Sequence, residues 1–454
     1  MNVDVLVAEI GSTTTLINAF DDIGGDRPRF IGQGQAPTSV AEGDVRVGLF
    51  GAIEDLKKNL GADSFSYGEM LATSSAAGGL KMTVHGLVYD MTVRAAKEAA
   101  LGAGAIIHQV TAGRLRRADL KLVCEIRPNL IMIAGGVDYG ERDTAIYNAE
   151  MIRTLEHKTP VVYAGNVENH EEIQLIFEGS GHPLYLVENV YPKIDLLNVE
   201  PARAVIQQAF EEHIVKAPGM EYVRDMVSGS IIPTPGAVME AAKLLYRHIG
   251  DLMVIDVGGA TTDIHSVTEG SEEIARLLVS PEPVAKRTVE GDLGLYVNMR
   301  NVVEMIGEEK LADELGFAIA PIYETYRAVP VSDEEIRFVE RLTREAVLHA
   351  TTRHAGSLRY IYGPTGRRTV AEGKDLTTVK YIIGTGGALT RLPHRREIMA
   401  SIARSNESGK LLFPKETAEI RVDGHYIMAS LGVLSMRHPE AAYALLEQSL
   451  QSPA

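Results

Sequence analysis

The sequence predicts an α/β protein of several domains: two related lobes, with a separate parallel-sheet domain inserted in the first. Three observations carry this. Two glycine–threonine loops, Glu9-Ile10-Gly11-Ser12-Thr13-Thr14-Thr15 and Asp256-Val257-Gly258-Gly259-Ala260-Thr261-Thr262-Asp263, each follow a short apolar strand, at 3–8 and 252–255. Between them, residues 80–195 alternate short apolar strands with single amphipathic helices, the rhythm of a parallel sheet with right-handed crossovers. At 454 residues the chain is too long for one simple core.

The elements follow in order. Residues 1–79 read as the start of the first lobe: strands at 3–8, 14–20 and 29–35, a helix at 45–58 with Asp44 as its N-cap, and a strand at 69–73. The insertion, 80–195, carries strands at 83–88, 105–110, 130–134, 161–164 and 184–187, with helices at 93–101, 117–126, 142–155 and 171–177. Residues 196–250 return to the first lobe through a helix at 201–215 and a connecting helix from Gly236, where Pro235 at the start costs no hydrogen bond. The second lobe, 251–423, holds mixed helices through 290–350, an alternating hairpin at 358–373 and a strand at 381–383 before Gly384-Thr385-Gly386-Gly387. A closing helix is expected from Gly424 to Met436, then a short helix and frayed tail over 439–454.

Bulk properties narrow the function. With 45% hydrophobic and 23% charged residues the chain reads as an ordinary globular protein. A net charge of −16 argues against nucleic acid as partner. Arg114-Leu115-Arg116-Arg117 is the densest basic cluster and reads as a solvated helix start. No apolar run is long enough to span a membrane and none resembles a secretory signal, so the cytoplasm is expected. Cys124 is the only cysteine, so one chain offers neither a disulfide nor a Cys₄ cluster; its apolar surroundings read as those of a buried small hydrophobe.

The loops carry the chemistry. A phosphate chain needs glycines that let backbone N–H groups approach, hydroxyls, and a carboxylate for Mg²⁺. A glycine followed by Ser or Thr is also a common hairpin turn. Glu9 counts towards function, because an acid ending an apolar strand must be paired, hydrated or metal-bound. The second loop is more specific, since two acids, two glycines and two hydroxyls together exceed what a hairpin requires. Gly384–Gly387 would set bare backbone beside an adenine or ribose, or merely turn a strand into a helix. Ala134-Gly135-Gly136-Val137-Asp138 reads as a tight turn after a parallel strand. Glu290-Gly291-Asp292 is taken to open a helix; the acids favour its N-terminus, while Glu290 lining the cleft remains the other reading. No zinc spacing, P-loop or nucleophile elbow is present.

The order of these loops resembles the superfamily of ATPases that includes actin, the 70-kilodalton heat-shock chaperones and the sugar kinases, over most of the chain. The resemblance implies two ribonuclease-H-like (actin-type) lobes closing on MgATP, with the Rossmann-like domain inserted in the first. Within that superfamily, VLVAEIGSTTT, IIPTPGAVMEAA, VIDVGGATTDIHSV, VEGDLG and IIGTGGALT are similar to the glutamate mutase accessory proteins of MutL/GlmL type, unrelated to mismatch-repair MutL. By that resemblance Gly11, Ser12, Thr13 and Thr14 form the first phosphate loop. Gly258, Gly259, Thr261 and Thr262 form the second, and Gly384, Gly386 and Gly387 cover the adenosine of ATP or ADP. Asp256 and Glu9 would hold Mg²⁺ through water, although many superfamily members have Asp where this chain has Glu9. Thr13 and Thr262 would grip phosphate, and Asp263 or Glu290 would orient the attacking water.

The resemblance further implies a slow Mg-dependent ATPase acting as a reactivating chaperone, which helps release damaged cobalamin from an adenosylcobalamin-dependent mutase or aminomutase. The partner is then that mutase or its cobalamin subunit; the sequence leaves a homodimer open. In the insertion, Leu87-Val88-Tyr89-Asp90-Met91-Thr92-Val93-Arg94-Ala95 lies where cobalamin-binding domains carry D-x-H-x-x-G. Asp90 is in register, but Thr92 replaces the cobalt-ligating His and Ala95 the Gly, so no cobalt ligation is expected there. The competing readings are a small-molecule kinase and an ATP-dependent hydrolase of hydantoinase type. A filament-type scaffold is a third, and a dehydratase activator is disfavoured because Cys124 is alone.

Overall fold

Two five-stranded mixed sheets of the same strand order organise the protein. The computed structural model describes the chain apart from residues 12–13, 40–43, 63, 65, 76–79, 215–218, 364–365, 407–408 and 452–454. It divides into two compact units, Met1–Ala237 with Ser280–Pro283, and Val238–Val279 with Val284–Ala454.

The first unit begins β1 (Asn2–Ile10), β2 (Thr14–Asp21), β3 (Arg29–Pro37), α1 (Val45–Leu60) and β4 (Ser66–Ser74). Asp44 caps α1 as expected, its side chain accepting from Arg46 N at 2.9 Å. The insertion follows: β5 (Lys81–Gly86), a π-helical turn at Tyr89–Val93, α2 (Arg94–Gly102), β6 (Ile106–Ala112), α3 (Arg117–Ile126), β7 (Leu130–Ile133), α4 (Asp143–Arg153), β8 (Val161–Tyr163), α5 (His170–Phe177) and β9 (Leu184–Leu186). The chain returns through α6 (Glu200–Ile214), α7 (Met220–Met226), β10 (Ile232–Pro233) and the start of α8 (Thr234–Ile249).

Strand order in the first lobe is β3-β2-β1-β4-β10, antiparallel between β1, β2 and β3 and parallel across β1, β4 and β10. The insertion has its own sheet of order β6-β5-β7-β8-β9, parallel throughout. Numbered within the insertion this is 2-1-3-4-5, a doubly wound order whose ligand position lies at the carboxyl ends of the strands where the order reverses. The first lobe and the insertion share a core that includes Leu6, Ile17, Leu56, Met82 and Val84, all fully buried. Each such side chain contributes roughly 1.5–3 kcal/mol on leaving water.

The second unit contains β11 (Leu252–Val257), β12 (Thr262–Val267), α9 (Glu272–Ala275), β13 (Ala285–Glu290), α10 (Met299–Ile306), α11 (Glu308–Leu315), α12 (Ala320–Thr325) and α13 (Asp333–His354). Then come β14 (Ser357–Gly363), β15 (Gly366–Glu372), β16 (Tyr381–Thr385), α14 (Gly386–Arg391), α15 (Arg395–Arg404), β17 (Glu419–Val422), α16 (Met428–Ser435) and α17 (Pro439–Gln451). The sheet order β13-β12-β11-β16-β17 and its strand directions repeat those of the first lobe. Met253, Ile255, Val257 and Ile264 point to one face and join a core with Val302, Phe338 and Leu342 of α10 and α13. β14 and β15 form the expected hairpin as a separate two-stranded sheet, with Arg367 stacked over Tyr360 at 4.4 Å.

Four expectations are corrected. Cys124 is exposed; in α3 the buried position is Val123, and one helical step turns the cysteine outward. Glu290 ends β13 rather than opening a helix, and α10 begins only at Met299. The closing helix starts at Met428, because Asp423 caps it after a turn in which Tyr426 takes φ 54°. The C-terminal helix is longer than expected: α17 runs to Gln451 and buries Ala442, Leu445, Leu446 and Leu450, while the expected frayed tail at 452–454 lies outside the described residues. Among the described residues, no helix is long and apolar enough to cross a membrane.

Candidate nucleotide site

The two glycine–threonine loops are topological equivalents. Each is the tip of the hairpin between the first two strands of its sheet. Gly11 N–H donates to Thr14 O at 3.0 Å, and Gly258 N–H donates to Thr261 O at 2.9 Å. In the first hairpin Glu9 lies opposite Leu16; in the second Asp256 lies opposite Asp263. On the parallel side Glu9 neighbours Thr73 and Asp256 neighbours Thr385, so acid and threonine recur in register.

Amide side chains meet the acid of the first tip. Glu9 is buried, and its Oε1 accepts from Asn18 Nδ2 at 3.3 Å; Asn18 Oδ1 accepts in turn from Gln33 Nε2 at 2.8 Å. Thr38 donates to Gly11 O at 2.9 Å, and Thr14 is exposed at the tip. Ser12 and Thr13, the remaining residues of the expected phosphate loop, lie outside the described residues.

The second tip has its carbonyls turned inward. Leu295 N–H donates to Gly258 O at 3.2 Å, while Tyr296 and Val297 N–H both donate to Gly259 O at 2.8 Å. Asn298 Nδ2 donates to Ala260 O at 3.0 Å. Gly294 passes so close that a Cβ there would come within 2.3 Å of the Ala260 carbonyl. Among the described residues, the Gly259 and Ala260 amides donate to no protein acceptor. With the carbonyls satisfied behind them, those N–H groups are what the tip offers to an anion.

The side chains sort by strand alternation. Asp256, Asp263 and Thr261 share one face of the hairpin. Thr262 faces the other way and is fully buried, its hydroxyl donating to Leu293 O at 2.8 Å. Its one proton is engaged inside the protein, which corrects the expectation that Thr262 grips phosphate through its side chain. Asp263 is also occupied: Oδ1 accepts from Arg287 Nη2 at 2.7 Å and Nε at 3.2 Å, and Oδ2 from the Thr261 hydroxyl at 2.9 Å. Asp263 is 4% exposed and Arg287 1%, so this is a buried ion pair rather than a carboxylate aimed at water.

Glu290 has the character of a base. It stands opposite Thr262 on β13, and burial raises its carboxyl above the ordinary value against the opposing effect of Arg353, whose Nη1 donates to Oε2 at 2.6 Å. Arg353 also grips both Asp292 oxygens, at 2.7 and 2.9 Å, and that contact lowers the Asp292 carboxyl.

The third loop meets the second. Gly386 has φ 82°, and a Cβ there would lie 2.5 Å from Asp256 Oδ1 and from Val257 O. Only glycine leaves that carboxylate its room. Gly384 packs on Met399 and Leu389, whereas nothing lies within 4 Å of a Cβ built on Gly387, the second residue of α14, which faces open space. Thr385 donates to Asp423 Oδ2 at 2.9 Å, and Asp423 also accepts from the amides of Ile427 and Met428 and from Ser449. Arg287, Arg353 and Asp423 were not singled out in the sequence. Only Asp423 carried a readable signal, an acid and a glycine ending an apolar strand, as at the first two loops.

In the insertion, Thr92 closes the β5–α2 loop on itself. Its Oγ1 accepts from Leu87 and Val88 N–H at 3.0 and 3.1 Å, and it is 2% exposed. Val88, Tyr89 and Asp90 stand exposed beside it, as does Tyr139 after β7.

A family model described as MutL protein matches residues 5–450. The chain is also 37% identical over 460 residues to Protein MutL of Clostridium tetanomorphum, covering 98% of each chain. The chain belongs to the MutL family. This is the accessory-protein family to which its loop motifs are similar. Among solved structures, the MutL-family chain is similar to nucleotide-free acetone carboxylase at 15% identity and a TM-score of 0.41, covering 96% of this chain and 70% of that one. It is similar to nucleotide-free diol dehydratase-reactivating factor at 11% identity and a TM-score of 0.38, covering 97% and 100%. At such scores these two likenesses carry no argument about activity.

Proposed function

We propose that this MutL-family chain is an ATP-dependent reactivating chaperone for an adenosylcobalamin-dependent mutase or aminomutase, which uses MgATP binding and slow hydrolysis to release damaged cobalamin. The observation that carries the nucleotide reading is the repeated acid-ended hairpin, the same turn with a carboxylate and a threonine in register in both units. Family membership supports the mutase as partner.

The residues fit a magnesium nucleotide. Asp256, Glu9 and the loop hydroxyls are hard oxygen donors, and the room beside Asp256 is one that any Cβ at position 386 would fill. Asp256 and Glu9 would hold the cation through water. When bound, Mg²⁺ neutralises charge on the phosphates. The Gly259 and Ala260 amides bind phosphate oxygens, with Thr14 serving from the first hairpin, whose turn the Gly11–Thr14 hydrogen bond closes. Gly384, Gly386 and Gly387 cover the adenosine. Glu290, raised by burial and braced through Oε2, accepts a proton from the attacking water at its other carboxylate oxygen. Asp263, engaged by Arg287, positions the loop instead.

The insertion is the docking module in this reading. Its doubly wound order places Val88, Tyr89 and Tyr139 on loops at the carboxyl ends of the strands, and Thr92 ties off the loop where a cobalt ligand would stand. The decisive experiment combines the purified chain with a glutamate-mutase-type enzyme inactivated by cyanocobalamin. ATP-dependent release of the bound cobalamin is expected. Substrate-stimulated phosphate transfer to a small molecule, without release, would replace the reading with a kinase; a Tyr89→Glu variant that still binds the mutase fully would remove the insertion from the interface.

A further inference from the structure

We infer that the second loop's Thr261 serves the cation side of the nucleotide rather than its phosphates, and that the buried Arg287–Asp263 pair imposes this role. The inference rests on the nucleotide reading above and deepens it. A threonine hydroxyl has one proton and two lone pairs. The carboxylate of Asp263, paired with Arg287, is acceptor-only, so in the 2.9 Å contact Thr261 must donate. What Thr261 then presents outward is lone pairs. Lone pairs suit a cation or a cation-bound water and repel a phosphate oxygen.

The neighbouring groups agree. Thr262 has turned its proton to Leu293 O, so neither second-loop threonine donates to phosphate from its side chain. Phosphate contact is left to the Gly259 and Ala260 amides, whose carbonyls are bound from behind. Asp256, on the same face of the hairpin as Thr261, is the adjacent carboxylate oxygen donor. Arg287 comes from β13, where it lies opposite His265, and reaches along the sheet to Asp263. His265 is fully buried, neither ring nitrogen has a protein partner among the described residues, and burial and the neighbouring Arg287 hold its imidazole well below its ordinary value. A neutral imidazole there does not compete with Arg287 for Asp263. Arg287 is therefore a positioning residue: it fixes the carboxylate, which fixes the hydroxyl proton, which sets the polarity of the loop towards its ligand.

The test separates metal from phosphate. ADP affinity is measured by calorimetry with EDTA and then with Mg²⁺, and Mn²⁺ binding to the ADP complex is read by electron paramagnetic resonance. Thr261→Val should weaken Mn²⁺ binding about tenfold, the worth of one charge-assisted contact, while metal-free ADP affinity stays within about twofold. Thr261→Ser, which keeps the hydroxyl, should restore Mn²⁺ binding. Arg287→Lys keeps the charge and loses the fork, so it should weaken Mn²⁺ binding by an intermediate factor while metal-free ADP affinity stays within about twofold. Equal loss of ADP affinity with and without metal in Thr261→Val would overturn the inference and make Thr261 a phosphate donor. No loss in either would also overturn it. If the unaltered chain binds no ADP at all, the nucleotide reading itself fails, which is a distinct result.

Discussion

The two hairpin tips share one backbone and differ in how their acids are kept. In the first, Glu9 is buried among amides, in the series Glu9, Asn18, Gln33. In the second, the position matching Asn18 is His265 and the one matching Gln33 is Arg287, which turns to a second acid, Asp263. Where amides meet the first lobe's carboxylate, a guanidinium meets Asp263 in the second. Removing one amide of the first series strands polar groups at about 1–3 kcal/mol, whereas breaking the buried ion pair strands a full charge at about 3–5 kcal/mol. The second tip is therefore the more committed of the two, and the less tolerant.

The largest expected effect tests that asymmetry directly. Arg287→Met strands the Asp263 carboxylate and should lower unfolding free energy by about 3–5 kcal/mol in chemical denaturation. Next, Asp256→Ala should reduce Mg-dependent ATP hydrolysis by about a hundredfold or more, as loss of a central electrostatic group does. Glu9→Ala, in the amide-held tip, should cost clearly less; equal losses would erase the distinction. Asn18→Leu should lower stability by about 1–3 kcal/mol, since it leaves Glu9 and Gln33 each short of a partner. The smallest effect concerns acid. The His265 imidazole is held well below its ordinary value, so below about pH 6.5 the unfolded chain takes up a proton the folded chain refuses, and stability falls as pH drops. His265→Asn installs the first lobe's residue and should flatten denaturation midpoints between pH 7.5 and 5.5. An unchanged slope would assign the effect to His85, held at about 4 by burial, and to His354, which share the sign.

Much of this was legible in the sequence, for a physical reason. Strand-ending acids, glycine turns and hydroxyls are local patterns, so the three loops, the Asp44 cap and the alternating strands of the insertion could be read directly. Orientation could not. Thr261 and Thr262 are adjacent and chemically alike, yet the pleat sends one outward and the other into the core. Arg287 sits in Ala-Lys-Arg-Thr-Val-Glu, where nothing announces a buried ion pair with a residue 24 positions earlier. Cys124 misled because its apolar neighbours lie on a different side of α3. Glu290 misled because an acid–glycine–acid run marks a strand's end as readily as a helix's beginning.

Asp423 has a consequence of its own. One carboxylate receives the glycine loop through Thr385, the first amides of α16 and the hydroxyl of Ser449 on α17. Like a keystone, it makes the loop and the C-terminal helix pair a single mechanical part. Tension at the tail should be felt at the Gly384–Gly387 loop, and a tag or truncation placed after α17 is not an innocent alteration of this protein.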